Sequence, residues 1–203
     1  MRVILLKYTS NPEFIGALAA KLCHSPVDDN MDLLSNGEEE KVIRNILKLG
    51  HLSVLEHISF TFLIEGVSRV TTHQLVRHRV ASYSQQSHRY TKIKEDNFVY
   101  PPSIQNDIEA LTLLQKVMKD SINAYNKLIE MGIKKEDARY IIPQAVASNI
   151  MVTMNARELL HFFELRCAKS AQWEIRRLAN KMLVLAKERA PVIFENIEVN
   201  ENE

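Results

Sequence analysis

Glycine is scarce in this sequence, with five among 203 residues, at positions 16, 37, 50, 66 and 132. None sits in a G-x-G-x-x-G or P-loop spacing, so any phosphate must be held by side chains and helix N-termini instead of a glycine cradle. Cysteine is scarcer still. Cys23 and Cys167 lie far apart with no C-x-x-C partner, which argues against a disulfide framework and against a zinc site. No apolar run is long enough to span a membrane, and MRVILLKYTSNPEF is too short in apolar residues and lacks a small-residue cleavage site. A cytoplasmic protein with no membrane partner is expected. A net charge of +1 supplies no overall field toward nucleic acid, so any anion binding has to come from local clustering. Repeats, low-complexity tracts and Pro/Gly-rich linkers are also missing, which predicts one cooperative domain over 1–197 and a disordered acidic tail over 198–203.

What is present is an ordinary globular composition, 46% hydrophobic and 25% charged. Residues 38–49 place Val42, Ile43, Ile46, Leu47 and Leu49 at helical spacing, with acids in the first turn and Gly50 as C-cap. Ser53-Val54-Leu55-Glu56 reads as a capping box opening a short helix. Ile58, Phe60, Phe62 and Ile64 then share one face at period two, the mark of a half-buried strand. Helical character resumes over 68–77, whereas 79–90 shows no apolar periodicity and reads as a long polar loop. An apolar stripe from Ile108 through Leu111, Leu114, Val117, Met118, Tyr125, Leu128 and Ile129 predicts a long helix ended by Gly132. A shorter helix over 134–142 stops at Pro143. Residues 148–154 suit a strand, Asn155 an N-cap with Glu158 at N3, and Ser170 the cap of a last helix to about Ala190. This order predicts an α+β fold, helices packed with a small, mostly antiparallel sheet.

Chemistry concentrates between Glu65 and Glu95. The stretch contains no acid, yet holds Arg69, Arg77, Arg79, Arg89, Lys92 and Lys94 with His73, His78 and His88. Guanidinium groups gathered without carboxylates repel one another unless water or a bound anion intervenes. A solvated basic face and a phosphate site both satisfy that condition. Ser82, Tyr83, Ser84, Gln85, Gln86, Ser87 and Tyr90 add groups able to read a polar ring edge. A second singular residue is Arg166, which falls on the apolar face of the 156–167 helix with Leu159, Leu160, Phe162, Phe163 and Cys167. Either its head snorkels to water or it finds a partner inside. His51, Glu56 and His57 do not have a standard ligand spacing, and no metal is assigned.

Arg77-His78-Arg79, seven residues and then Ser87, within RHRVASYSQQSHRY, resembles the R-H-R-x7-S signature of the flavin-dependent thymidylate synthases. The similarity extends through AAKLCHSP (19–26), GHLSVLEHISFTF (50–62), the Glu136–Pro143 helix end and NARELLHFFELRCAKSAQWEI (155–175). The resemblance implies a homotetramer with active sites built from several subunits. It also implies FAD as cofactor, NAD(P)H and 5,10-methylenetetrahydrofolate as co-substrates, and reductive methylation of dUMP to dTMP. It assigns Arg166 to stabilising the N3-ionised uracil ring. Gln74, Arg77, Gln85, Gln86, Ser87, Arg89, Arg139 and Arg166 are expected to bind the nucleotide. Ser53, Arg77, His78, Arg79, Asn155, Arg157 and His161 are expected to contact the flavin. Gln85 and His161 depart from relatives that carry Glu and Asn there. No acid lies near Ser87 in sequence to complete a triad, so a positioning role is expected for it, and Cys167 is expected not to be a nucleophile. Competing readings are a nucleic-acid-binding module, which Tyr83 and Tyr90 among the basic residues would suit, and a flavin reductase without methyl transfer.

Overall fold

The computed structural model describes residues 1–23, 37–91, 93 and 97–199. Lys92, Lys94, the end of AAKLCHSP and most of the acidic tail lie outside them. The chain runs β1 (Arg2–Tyr8), α1 (Pro12–Leu22), α2 (Glu39–Leu49), a 3-10 segment Leu52–His57, β2 (Ser59–Ser68), α3 (Arg69–Leu75) and β3 (Ala81–Gln85). It continues with α4 (Pro102–Gln105), α5 (Ile108–Glu130), α6 (Lys135–Ala138) with a 3-10 turn Arg139–Ile141, β4 (Ala147–Asn155), α7 (Ala156–Arg166) and α8 (Trp173–Lys187). The strands form one antiparallel sheet in the order β1-β2-β4-β3. The fold is α+β.

Local chemistry explains most boundaries. Ile58, Phe60, Phe62 and Ile64 are fully buried, the period-two face expected of β2. The Ser68 side chain ends that strand by accepting from Thr71 N–H at 3.2 Å, capping α3. Gly50 takes the left-handed conformation (φ 72°) that closes α2, which a side chain would oppose. Four expectations need correction. The N-cap of the 3-10 segment is His51, with no side-chain cap bond, so Ser53 opens no capping box. Residues 79–90 contain the strand β3. The cap of α8 is Gln172, whose carbonyl takes the N–H groups of Glu174 and Ile175, and not Ser170. The apolar stripe of α5 is only partly covered: Met118, Ile122 and Tyr125 are buried, while Ile108 is 85% and Val117 45% exposed.

By contacts the chain forms two compact units. The first contains Met1–Arg2, Ile64–Arg77 and Ser84–Ile150, and the second Val3–Leu63, His78–Tyr83 and Met151–Glu203. The first has a core of Ile93, Phe98, Met118, Ile122 and Val146. In the second, an aromatic succession runs from Tyr8 through Phe60, Phe194, Phe163 and Phe162 to the ring of His78, with centroids 4.9–6.4 Å apart. Stacked and edge-on pairs of this kind favour one arrangement of the rings beyond their simple burial. The segment after α8 is tied in by Glu13, whose carboxylate accepts from the N–H groups of Val192 (2.7 Å) and Ile193 (3.4 Å).

Candidate active site

In the second unit, α7 does most of the positioning. Asn155 caps it by accepting from Glu158 N–H at 2.8 Å, the cap read from sequence. Leu159, Phe162, Phe163 and Cys167 turn inward, while Arg157, His161 and Glu164 are exposed. Arg166, half-buried on the last turn, resolves the choice left open above: its Nε donates to Nε2 of His78 at 3.1 Å. His78 is 4% exposed, packs edge-on against Phe162 at 4.9 Å, and has Nδ1 3.4 Å from Oε1 of Glu158. Its backbone carbonyl accepts from the Tyr83 hydroxyl at 2.7 Å.

Burial, then the charges of Arg166 and His161, push the His78 pKa down to about 4. The contact with Glu158 is therefore that of a neutral imidazole beside a carboxylate, and the nearby acid does not restore the charged form. A neutral imidazole has one N–H and one lone pair. Because Arg166 can only donate, the lone pair is on Nε2. The guanidinium keeps both terminal nitrogens without a partner among the described residues. Cys167, next in the chain, is buried and its thiol is pushed up to about 11 by burial, which suppresses thiolate chemistry.

Beside this network lies a cleft of about 580 Å³ lined by the apolar Leu52, Val80 and Leu160, by Asn155, Arg157 and His161, and by the carboxylates Glu56, Glu158 and Glu164. Three of the residues expected at the flavin thus share one wall. Arg157 is paired with Glu56 there, an exposed pair of the kind that contributes little and exchanges readily. His78 approaches this group through His161, with ring centroids 5.8 Å apart, and Arg79 is exposed. Ser53 instead lines a larger cavity of about 1180 Å³ with α1 and α2. Among the described residues no group of three or more His, Cys, Asp or Glu side chains could hold a metal ion.

The nucleotide set, Arg166 apart, lies in the first unit. Gln74 is half-buried on α3 and Arg77 is exposed. Gln85 donates through Nε2 to Thr72 Oγ1 (3.1 Å) and Ser148 Oγ (3.3 Å), which fixes its amide on the edge strand. Gln86 is exposed, and its N–H donates to the Asn149 carbonyl at 2.8 Å. Ser87 opens a turn: its carbonyl accepts from the N–H groups of Tyr90 and Thr91, and its Oγ accepts from Arg89 N–H at 3.2 Å. These bonds suit positioning and provide no base for a nucleophile. Arg89 pairs with the carboxylate of Glu136, while Arg139 donates through Nε to the Glu136 carbonyl at 3.2 Å. The absence of acids in 66–94 therefore does not leave Arg89 without a carboxylate, because α6 supplies one. His88 is 4% exposed, its Nε2 has no hydrogen-bond partner among the described residues, and burial together with Arg69 and Arg139 lowers its pKa.

Sequence reasoning passed over Glu136 and Glu158 as site residues, and placed Tyr83 and His88 in the basic polar stretch without assigning either a role of its own. Glu158 was legible as a helix-start acid, and nothing local signalled its second neighbour.

A family model described as thymidylate synthase complementing protein matches residues 4–192. The chain belongs to that family. Among relatives, the flavin-dependent thymidylate synthase of Geobacter sulfurreducens is 48% identical over 200 residues, covering 97% of this chain and 86% of the relative. That of Pyrococcus furiosus is 49% identical over 189 residues, covering 90% and 78%. A solved structure of the UMP/dUMP methylase PolB from Streptomyces cacaoi, bound with 5-Br dUMP, superposes with a TM-score of 0.84 at 24% identity, covering 96% of this chain and 93% of that one. At that identity the likeness is one of fold. Family membership accords with the R-H-R-x7-S reading, whose Arg77 lies in the turn after α3 and whose Ser87 lies just after β3.

Proposed function

We propose that the protein methylates dUMP to dTMP, taking carbon from 5,10-methylenetetrahydrofolate and reducing equivalents from FAD reduced by NAD(P)H. The observation that carries this reading is Arg166: a half-buried guanidinium braced at Nε by a neutral imidazole, with two terminal nitrogens unengaged. A planar fork of N–H donors matches the edge of a pyrimidine anion formed by loss of the N3 proton. Stabilising that anion raises electron density at C5, where the new carbon bond forms. His78, being neutral, accepts from Arg166 without adding a second positive charge.

Arg89 and Arg139, converging on Glu136, would take the nucleotide phosphate, with Arg89 exchanging one anionic partner for another. Gln85, Gln86 and Ser87 would orient the sugar and base, with Gln74 and Arg77 as further nucleotide contacts. For the flavin, Asn155, Arg157 and His161 offer amide, guanidinium and imidazole groups beside the apolar Leu52, Val80 and Leu160. Because Glu56, Glu158 and Glu164 share that lining, the mixture suits the ring system of the flavin and not its pyrophosphate, and Ser53, Arg77, His78 and Arg79 would add polar contacts. When bound, FAD supplies the hydride equivalent that turns the transferred carbon into a methyl group. Assembly as a homotetramer with sites shared between subunits follows from the family resemblance, and the exposed Ile108, Tyr140 and Leu113 are apolar surface that such an assembly would cover.

The test is an anaerobic assay for dTMP with FAD, NADPH and methylenetetrahydrofolate present and each omitted in turn. Product should require all of them. NADPH oxidation with no dTMP in the complete mixture would reduce the protein to a flavin reductase and sink the proposal.

A further inference from the structure

We propose that Glu158 is a positioning residue that acts on Arg166 through His78, its carboxylate selecting the imidazole tautomer whose Nε2 lone pair receives the Arg166 Nε–H. The functional part of this inference rests on the dUMP reading above, while the tautomer itself does not.

The groups facing the His78 ring are few. From α7 come Glu158, His161 and Arg166, and the ring edge of Phe162; from β3 comes Tyr83. The Tyr83 hydroxyl donates to the backbone carbonyl of His78, and burial, then the Glu158 charge, raise its pKa. Arg166 occupies Nε2, so the ring proton belongs on Nδ1, and Oε1 of Glu158 lies 3.4 Å from that nitrogen. Glu158 is itself held: its side chain is 12% exposed, and its backbone N–H is fixed by the Asn155 cap. The ring stays neutral at working pH. Two neutral tautomers therefore compete, and only one is compatible with an arginine donor. The other sets Nε2–H against Nε–H and would drive the guanidinium away.

A carboxylate in the first turn of a helix also favours the helix dipole, so the test must separate that role from tautomer selection. Glu158→Gln removes the charge but retains an oxygen that can accept from Nδ1–H; Glu158→Ala removes both. The first measurement is made on the protein alone: the ring 15N resonances of His78, assigned by their loss in His78→Gln, distinguish a protonated from a bare nitrogen. Wild type and E158Q should have the proton on Nδ1, and E158A should populate the Nε2–H form. The second is kinetic. E158A should lower kcat for dTMP formation about 10-fold with the KM for NADPH unchanged, and E158Q should recover most of the loss.

An Nδ1–H tautomer persisting in E158A overturns the proposal, as does an E158Q protein as impaired as E158A, which would leave only a charge effect on the helix. Because E158Q is read against wild type by both measurements, the comparison survives if E158A does not fold. Were wild type inactive on dUMP, the proposed function would fail while the 15N result still decided the Glu158–His78 relation.

Discussion

Arg166 and Arg89 are residues of one type held in opposite ways. Arg166 sits half-buried at the end of α7, secured through Nε by an uncharged ring, with its terminal nitrogens uncommitted. Arg89 is 54% exposed in a turn and paired with Glu136. The contrast separates two tasks. A guanidinium that must present charge to a weakly acidic ring needs a brace that does not neutralise it, since inside the protein each unit of charge acts over a low effective dielectric. One that grips a phosphate can rest on a carboxylate, because a surface ion pair is worth only about 0–1 kcal/mol and a doubly charged ligand displaces it.

The largest expected effect is at the first of these. Arg166→Ala should cut dTMP formation by about 10²–10³, the range for loss of one charge-stabilising donor. Flavin absorbance of the purified protein should persist, and near-normal turnover would erase the distinction between the two arginines. Next comes the brace. The His78 pKa falls from 6.5 unfolded to about 4 folded, so between those values the unfolded chain binds the extra proton. Stability from this group is thus intact above about pH 6.5 and is lost as pH falls toward 4. Denaturant titrations from pH 7 to 4 should show a steeper acid loss in wild type than in His78→Gln. Equal slopes would mean that the ring is not held neutral.

Arg89→Ala should raise the KM for dUMP about 10-fold with a smaller change in kcat, as expected for a group that binds substrate and transition state alike. Glu136→Gln should move KM the other way by less than about 5-fold, within the value of an exposed pair. A rise in KM instead would make Glu136 an orienting partner and not a competitor. The smallest effect belongs to Cys167→Ala, which should keep turnover within about 2-fold, consistent with a thiol that stays protonated. Complete loss of activity in a folded C167A protein would require a nucleophile the present reading omits.

How much of this could be read beforehand depended on whether the information was local. Alternation over Ile58–Ile64 and the Asn155 cap are local, and both were legible. β1 and β3 were not. RVILLKY is a continuous apolar run without strict alternation, and ASYSQ is an edge strand whose half-exposed faces tolerate polar residues, so it reads as a loop. The stripe on α5 predicted the helix and overstated its burial, because periodicity reports which face is apolar and not what covers it. At the site, residue types and the signature indicated where charge gathers. The partners that decide its behaviour, Glu136 for Arg89 and His78 for Arg166, come from distant stretches of chain, and no spacing rule reaches across them, while Glu158 shares α7 with Arg166 but signalled only a helix start.

The anchoring of the last segment has a practical side. With Val192 and Ile193 bonded to Glu13 and Phe194 wedged between Phe60 and Phe163, deletion back to Pro191 would open the aromatic row from its middle. An affinity tag or fluorophore attached after Glu198 would leave that wedge seated, which makes that position a safer handle than any cut upstream of it.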